Sequence, residues 1–141
     1  MRLKMERIEN LLKDVKIDKE RVKKSVDMIL HLLDIGPKDI RLSRKKIDPS
    51  EIYVAAVEEC NLKDAKRIMK EEYSSALPAP ITVLDFRGKY VLFMGSNRSI
   101  IFVLKGQIPD CIVVKIPENR KEPRMVSEAK KTLKEIIEKQ K

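Results

Sequence analysis

The feature that most constrains how this chain can fold is a change in the spacing of its apolar residues near residue 80. Before that point, apolar residues recur every three or four positions, which is typical of amphipathic helices. After it, residues 81–86 and 90–94 form short runs rich in β-branched and aromatic side chains, which favour strands. Gly88 lies between the two runs and can adopt the positive φ of a tight turn. The chain therefore predicts a β-hairpin that follows a helical region.

The first third of the sequence predicts two helices joined as a hairpin. Asp18 is expected to cap the second helix, and Gly36-Pro37 to end it. Neither apolar stripe can be covered by the other helix alone, so we expect the hairpin to pack on the rest of the chain or, in a homodimer, on a second copy. The sequence thus divides into an N-terminal helical hairpin, residues 1–36, and a domain of residues 37–141.

Residues 37–141 alternate between predicted strands and predicted helices. Asp48-Pro49 followed by Glu51 resembles a helix start, so the stretch 52–60 is expected to form a helical turn or two. The order of elements indicates an α+β fold, a small mixed sheet with packed helices. The other predicted elements are an edge strand at 39–47, helices at 61–76, 99–105 and about 127–140, and a buried strand at 111–116.

Composition argues against several classes of protein. The chain of 141 residues carries 31 Lys and Arg against 22 Asp and Glu, and its net charge of +9 attracts polyanions. One histidine, His31, which we expect to be packed within a helix stripe, and two cysteines, Cys60 and Cys111, make neither a histidine-based zinc site nor a disulfide framework. No apolar run approaches a membrane span, and we expect a cytoplasmic protein. A charged fraction of 38% with few glutamines is typical of a thermophile.

The turn after the second predicted strand is the segment best suited to binding. Gly95 permits a sharp bend, and a helix is expected to begin at Ser96 or Asn97. A helix N-terminus presents unpaired N–H groups and a partial positive charge, so phosphate or carboxylate binds well there. Arg98 is unfavourable in that first turn unless an anion lies between its guanidinium and the N–H groups, and Ser99 adds a further donor. The alternative is a plain helix start whose Arg98 points to solvent.

A strand ending in Gly95-Ser96-Asn97-Arg98, a helix ending at Gly106, and Ile108-Pro109 before an apolar strand follow one another in this sequence. This order resembles the core of the ParB/sulfiredoxin superfamily, and the resemblance covers roughly residues 40–117. In that superfamily the Gly-x-x-Arg corner holds nucleotide phosphates. The resemblance therefore implies that Gly95 to Arg98 bind the phosphates of ATP, ADP or CTP, with Mg²⁺ present only if a nucleotide is bound.

Two departures from the superfamily pattern bear on the activity. Ser96 stands where sulfiredoxins have their catalytic cysteine, so reduction of sulfinic acid is not implied. The kinase-like members carry Asp-Gly-His-His-Arg, whereas Met94, Ser96 and Asn97 replace the Asp and both His here. Pro49-Ser50-Glu51 resembles the Pro-x-Glu of those kinases, which would make Glu51 a general base. The alternative is that Glu51 only caps a helix.

Three functions therefore stay open, and whether the protein is an enzyme stays open with them. The first is a ParB-like module that binds phosphates of a nucleotide or a nucleic-acid backbone at Gly95–Arg98, associated with DNA but weakly sequence-specific because no clear helix-turn-helix is present. The second is an ATP- or ADP-dependent kinase of a small, serine-like molecule. The third is a ParB-like nuclease, for which clustered carboxylates are missing. Four basic residues lie close together in the predicted edge strand: Arg41, Arg44, Lys45 and Lys46. This cluster could bind along a nucleic-acid backbone. The alternative is that its charges only protect an exposed edge strand from pairing with another chain.

Overall fold

Two N-terminal helices are followed by alternating strands and helices. The computed structural model describes the backbone of residues 2–141 and the side chains of residues 7–141. Single 3-10 turns lie at Pro37–Asp39, Pro49–Glu51 and Val57–Glu59. The longer elements are α1 (Arg2–Leu11), α2 (Lys19–Leu32), β1 (Arg41–Lys46), β2 (Ile52–Val54), α3 (Leu62–Glu72), β3 (Ile81–Phe86), β4 (Lys89–Met94), α4 (Ser96–Leu104), β5 (Asp110–Lys115), α5 (Arg124–Glu128), β6 (Lys131–Thr132) and α6 (Leu133–Gln140).

Within residues 2–141, six strands form one mixed sheet in the order β1-β5-β3-β4-β2-β6. The pairs β1–β5, β3–β4 and β2–β6 are antiparallel, whereas β3–β5 and β2–β4 are parallel. The central strand β3 is buried on both sides, as expected of a strand covered on both faces. The prediction of an α+β fold with a small mixed sheet and packed helices is confirmed, and so is the position of β1 at an edge.

The two faces of the sheet bury separate apolar clusters. Val83, Leu92 and Val113 point to one face and pack with residues of α3, α4 and α6. Leu84 and Val114 point to the other face and pack with residues of α1, α2 and α5. This alternation follows the two-residue repeat of a strand.

The N-terminal hairpin forms part of the second cluster. Val26 of α2 is buried there against the sheet. The hydroxyls of Ser25 and Thr82 share a hydrogen bond of 2.5 Å, which joins α2 to β3. Both stripes of the hairpin are thus covered by the chain's own sheet, which was one of the two expected outcomes. The division into residues 1–36 and 37–141 stays a division of the sequence, because the two parts share a core.

The predicted β-hairpin is present. β3 and β4 are joined by Arg87 and Gly88, whose φ angles are 53° and 87°. Two consecutive positive φ angles match the twist of an antiparallel pair, and glycine adopts such an angle without steric cost. The hairpin turn lies at the opposite end of β4 from Gly95.

Two predicted helices were wrong in part. The stretch 52–60 contains strand β2, because Ile-Tyr-Val suits a half-buried strand and pairs in parallel with β4. The single C-terminal helix is instead α5 and α6, separated by β6. Thr132 accepts a hydrogen bond from the backbone of Glu135, whose side chain bonds back to Thr132, and this capping box begins a new helix.

Two local expectations in the hairpin were also wrong. Asp18 precedes α2 with a φ of 60°, but its side chain makes no cap and instead accepts a hydrogen bond from Tyr73. His31 is exposed on α2 and does not pack in the stripe.

None of the helices in residues 2–141 is both long and apolar enough to cross a membrane.

Candidate anion-binding site

The bend at Gly95 creates an uncapped helix N-terminus. Gly95 has a φ of 105° and no side chain caps α4. The N–H of Ser99 donates to the carbonyl oxygen of Gly95 at 2.8 Å, which is the first bond of the helix. The N–H groups of Ser96, Asn97 and Arg98 come before this bond and therefore lack an intrahelical acceptor. The helix begins at Ser96, as the sequence predicted.

Arg98 lies beneath this bend and not in solvent. Its side chain is buried, with the residue only 4% exposed. Nη1 donates hydrogen bonds to the carbonyl oxygens of Pro80 and Ala79, at 2.8 and 3.3 Å. Nη2 is buried and has no hydrogen-bond partner among residues 7–141. The guanidinium therefore clamps the segment before β3 to α4 but leaves one donor group unused.

No carboxylate within residues 7–141 forms an ion pair with Arg98. Burial lowers the pKa of Arg98, and the positive charge of Arg21 lowers it further, whereas Tyr73 and Asp18 act in the opposite direction. Asp18 is engaged elsewhere, because its Oδ2 accepts the phenol proton of Tyr73 at 2.7 Å. Burial, followed by that hydrogen bond, raises the pKa of Tyr73 to about 12. A buried positive charge without a bonded counter-charge is costly, and a bound anion would offset that cost.

A cleft of about 760 Å³ opens at this bend. One side is apolar and includes Met28 of α2 and Phe93 of β4. The cleft is also lined by three cations, one of them the buried Arg98, and by three acids, so it carries no large net charge. Its charged lining residues are Arg21, Lys24, Arg98, Glu58, Glu59 and Asp64.

Four of the five residues predicted for the phosphate corner line this cleft: Gly95, Ser96, Asn97 and Arg98. Asn97 has a buried Oδ1 without a partner among the described side chains. Ser99 lies behind the bend, where its hydroxyl donates to the carbonyl oxygen of Ser96 at 2.6 Å, so it is not available to a ligand.

Sequence reasoning missed the contribution of α2 and of the loop before α3. Arg21, Lys24 and Met28 are spaced three and four residues apart and share one face of α2, so this helical spacing was a usable signal. Glu58 and Glu59 follow β2, which runs parallel to β4 and ends near the same edge of the sheet. Because that stretch was assigned to a helix, its acids could not be placed beside Gly95.

Glu51 does not reach the cleft. It directly precedes Ile52, which pairs with Tyr90 near the start of β4. Gly95 follows the end of the same strand, five positions after Tyr90. Because an extended strand rises about 3.3 Å per residue, Tyr90 and Gly95 lie about 16 Å apart. Glu51 is exposed, and Asp48 caps its 3-10 turn by accepting from the N–H of Ser50. This placement gives no support to Glu51 as a general base for a ligand at Gly95.

The predicted basic cluster on β1 is divided between two faces of the strand. Arg41 and Lys45 alternate with Arg44 and Lys46, so the four side chains do not form one surface. Arg44 is bound to Asp110 at 2.7 Å and to Asp14 at 2.5 Å, and both carboxylates raise its pKa. Lys45 bonds the hydroxyl of Tyr90 and lies over its ring. The positive charge of Arg44 is therefore already neutralised by two carboxylates and would contribute little to binding a nucleic acid.

Residues 7–141 contain no group of three histidine, cysteine or acidic side chains arranged to hold a metal ion. Cys60 and Cys111 are buried free thiols. Burial raises the pKa of Cys60 to about 11, although a hydrogen bond with Ser96 acts in the opposite direction. The Cys60 thiol is therefore protonated and unreactive at neutral pH.

Comparison with known proteins finds a solved structure that is similar to this one. No protein-family model matches the chain, and no curated protein matches it. The crystal structure of sulfiredoxin from Arabidopsis thaliana is similar, with 20% sequence identity and a TM-score of 0.43, over 52% of this chain and 85% of that one. At this identity and TM-score the likeness carries no argument about activity or ligand.

Proposed function

We propose that the cleft at the N-terminus of α4 binds a phosphate group of a nucleotide. The observation that carries this proposal is Arg98, a buried guanidinium that has one unused donor group and no bonded carboxylate in residues 7–141. It lies beneath an uncapped helix N-terminus, so two sources of positive potential coincide. An anion at the bend would be stabilised by both.

The phosphate is held mainly by the backbone. The N–H groups of Ser96, Asn97 and Arg98 point out of the helix end, and the Ser96 hydroxyl is a further donor. Because Nη2 of Arg98 is itself buried, its guanidinium adds positive charge from below the bend and does not contact the ligand. Arg21 and Lys24 on the exposed face of α2 would neutralise additional phosphates.

The rest of the cleft suits the other parts of a nucleotide. A volume of about 760 Å³ accommodates a small organic ligand, and Met28 and Phe93 provide an apolar wall for a base. Glu58 and Glu59 can accept hydrogen bonds from ribose hydroxyls. ATP, ADP and CTP are therefore the probes to test first, with Mg²⁺ brought in by the nucleotide.

A kinase of a small hydroxyl compound is the second candidate function. One observation favours it: the carboxylates of Glu58 and Glu59 line the cleft, where Glu51 does not. A carboxylate there could accept the proton of an attacking hydroxyl while the terminal phosphoryl group moves to that oxygen. Conversion of ATP to ADP, or of ADP to AMP, in the presence of serine would support this candidate. A nuclease gains no support, because no acidic cluster suited to a metal is found in residues 7–141.

A thermal-shift screen with ATP, ADP, CTP and inorganic phosphate tests the binding proposal. A ligand that binds only the folded protein should raise the Tm by a few degrees at saturating concentration. Lys24→Ala should weaken this effect, and Arg98→Met should abolish it, whereas Arg98→Lys should retain part of it because the charge remains. Lys66→Ala on the exposed side of α3 is the matched control. If the Arg98 variants fail to fold, Lys24→Ala and Arg21→Ala still decide the result, and no nucleotide-dependent shift of the wild type would overturn the proposal.

The redox state of the two cysteines bears on the cellular compartment of the protein. Cys60 and Cys111 are both free and buried. Free thiols persist in reducing compartments, which supports the proposal of a cytoplasmic protein.

A further inference from the structure

A basic surface lies at the end of the sheet opposite the cleft. The β3–β4 turn and the residues before β6 enclose a shallow concavity of about 580 Å³. It is lined by Tyr53, Arg87, Lys89 and Lys130, together with the backbone around Gly88. We refer to these four side chains as the hairpin-end surface. Three of the four are cations, and no acidic residue lines the concavity.

The cations of the hairpin-end surface are not neutralised by any carboxylate of residues 7–141. Arg87 Nε donates to the carbonyl oxygen of Glu118 at 3.0 Å, and Lys89 Nζ donates to that of Val126 at 2.9 Å. These partners are uncharged, so they fix the side chains without cancelling their charge. No salt bridge within residues 7–141 involves Arg87, Lys89 or Lys130.

The carboxylate next to the turn lies on the other face of the sheet. Asp85 pairs with Tyr90, whereas Phe86 pairs with Lys89. Successive residues of a strand point to opposite faces, so Asp85 lies on the face opposite Lys89. Asp85 also accepts a hydrogen bond from the N–H of Gly88. The carboxylate of Asp85 therefore does not lie beside Lys89 to offset its positive charge.

An aromatic ring completes this surface. Lys89 Nζ lies 5.0 Å from the centre of the Tyr53 ring, a cation–π distance that holds both side chains in place. The guanidinium of Arg87 lies 4.7 Å from the Phe86 ring. Positioned cations beside an aromatic ring suit a sugar–phosphate chain, in which charged phosphates alternate with less polar sugars.

We propose that the hairpin-end surface binds the phosphodiester backbone of a nucleic acid. The surface is shallow and open, so it fits an extended polyanion better than a single enclosed phosphate. Its contacts are point charges and one ring, with no element placed to read base edges, so binding should depend little on sequence. This inference does not rest on the proposed nucleotide site, because the two lie at opposite ends of β4.

Fluorescence anisotropy with a short labelled DNA duplex, and with the single strand of the same sequence, tests this inference. Three cations in contact with phosphates predict a slope of log K against log salt of about −3 for the duplex. Lys130→Glu should weaken binding by about tenfold and reduce the magnitude of that slope by about 1 or more. Lys130 is exposed and its side chain makes no hydrogen bond or salt bridge with residues 7–141, so Lys130→Gln provides a second variant that should keep the fold.

Two matched controls locate the surface. Lys45→Glu reverses an exposed charge on β1, beside Tyr90 on the face of the sheet opposite the hairpin-end surface, and should leave binding unchanged within twofold. Lys66→Glu reverses an exposed charge on α3 and should also leave binding unchanged. The inference is overturned if neither DNA form binds, if Lys130→Glu binds like the wild type, if Lys45→Glu or Lys66→Glu causes the larger loss, or if polyglutamate at equal charge displaces the DNA as well as unlabelled DNA does. If Lys130→Glu still shows the wild-type thermal shift with nucleotides, failure of this inference would leave the proposed nucleotide site unaffected.

Discussion

Gly95 and Arg98 fit together as one unit. A β-carbon placed on residue 95 would approach Nη2 of Arg98 to 2.9 Å and Cγ2 of Ile81 to 2.8 Å. The guanidinium can therefore fold back beneath the bend only because residue 95 has no side chain. Two residues separate Gly95, which precedes α4, from Arg98 in the first turn of that helix, so the Gly-x-x-Arg spacing fixes both the bend and the position of the buried charge.

Gly95→Ala should destabilise the protein more than Gly88→Ala does. Both glycines have positive φ angles, of 105° and 87°, so alanine is strained at each position. A β-carbon at residue 88 meets no atom within 4 Å, whereas one at residue 95 meets two side chains. We expect a loss of about 1 kcal/mol at Gly88 and about 2–4 kcal/mol at Gly95, measured by urea unfolding. Equal losses would mean that the space beneath Gly95 is not needed.

The hydrogen bond between Ser25 and Thr82 predicts that removing one hydroxyl costs more stability than removing the other. Ser25 donates to the carbonyl oxygen of Val22 at 2.7 Å, which leaves the Thr82 hydroxyl to donate to Ser25. Ser25→Ala leaves the fully buried Thr82 hydroxyl without a partner, at a cost of about 1–3 kcal/mol. Thr82→Val should cost less, and the double variant should be less unstable than the sum of the two. Additive losses in urea unfolding would show that the two hydroxyls are not coupled.

The ion pairs of Arg44 predict a dependence of stability on pH. The guanidinium of Arg44, bonded to Asp14, lowers the pKa of that carboxyl below its usual range. A carboxyl with a lowered pKa in the folded state stabilises the protein above the pKa of the unfolded chain, about 4, and this contribution is lost as the pH falls through the folded value. Asp14 is largely exposed, so this contribution is small.

Replacing Arg44 should remove this pH dependence. We expect Arg44→Met to cost about 1–2 kcal/mol at pH 7 and less at pH 2, because the contribution of Asp14 is lost as the pH falls through the lowered pKa of that carboxyl. Arg67→Met is the control, because Arg67 forms only an exposed pair with Glu71 on α3. A loss for Arg44→Met that is the same at both pH values would contradict an electrostatic role.

Both cysteines should be inert in the folded protein. Burial raises the pKa of Cys60 to about 11 and that of Cys111 to about 12. Almost no thiolate is therefore present at pH 8, and the thiolate is the reactive form. An aromatic disulfide reagent should modify neither residue until the protein is unfolded in urea. Rapid modification of Cys60 in the native state would mean that the bend at Ser96 opens readily.

The sequence predicted the β3–β4 hairpin and the bend at Gly95 because each depends on local properties: apolar runs of strand length and glycine at a positive φ. It failed at Ile52–Val54, where a good helix start at Asp48-Pro49 suggested a helix, but parallel pairing with β4 decided the structure. Such pairing joins residues far apart in the chain and leaves no local signal. The break before α6 was predictable, since Thr132 and Glu135 have the spacing of a capping box.

The candidate site was predictable only where it is contiguous. Gly95, Ser96, Asn97 and Arg98 lie in one turn, and their chemistry could be judged from the sequence. Arg21 and Lys24 enter the cleft because the N-terminal hairpin packs on the sheet, which no local pattern specifies. The same long-range packing explains why Arg98 is buried when its position in a first helical turn suggested contact with solvent or an anion.

The backbone amide resonances of residues 96–98 provide the most direct measurement of phosphate binding at the bend. Titration of the ¹⁵N-labelled protein with ATP, ADP and CTP should give the largest chemical-shift changes at Ser96, Asn97 and Arg98, with smaller changes at Lys24. The same titration of Arg98→Lys should give weaker changes at the same amides. Saturable shifts confined to other parts of the chain, or no shifts with any of the three nucleotides, would contradict a phosphate site at the N-terminus of α4.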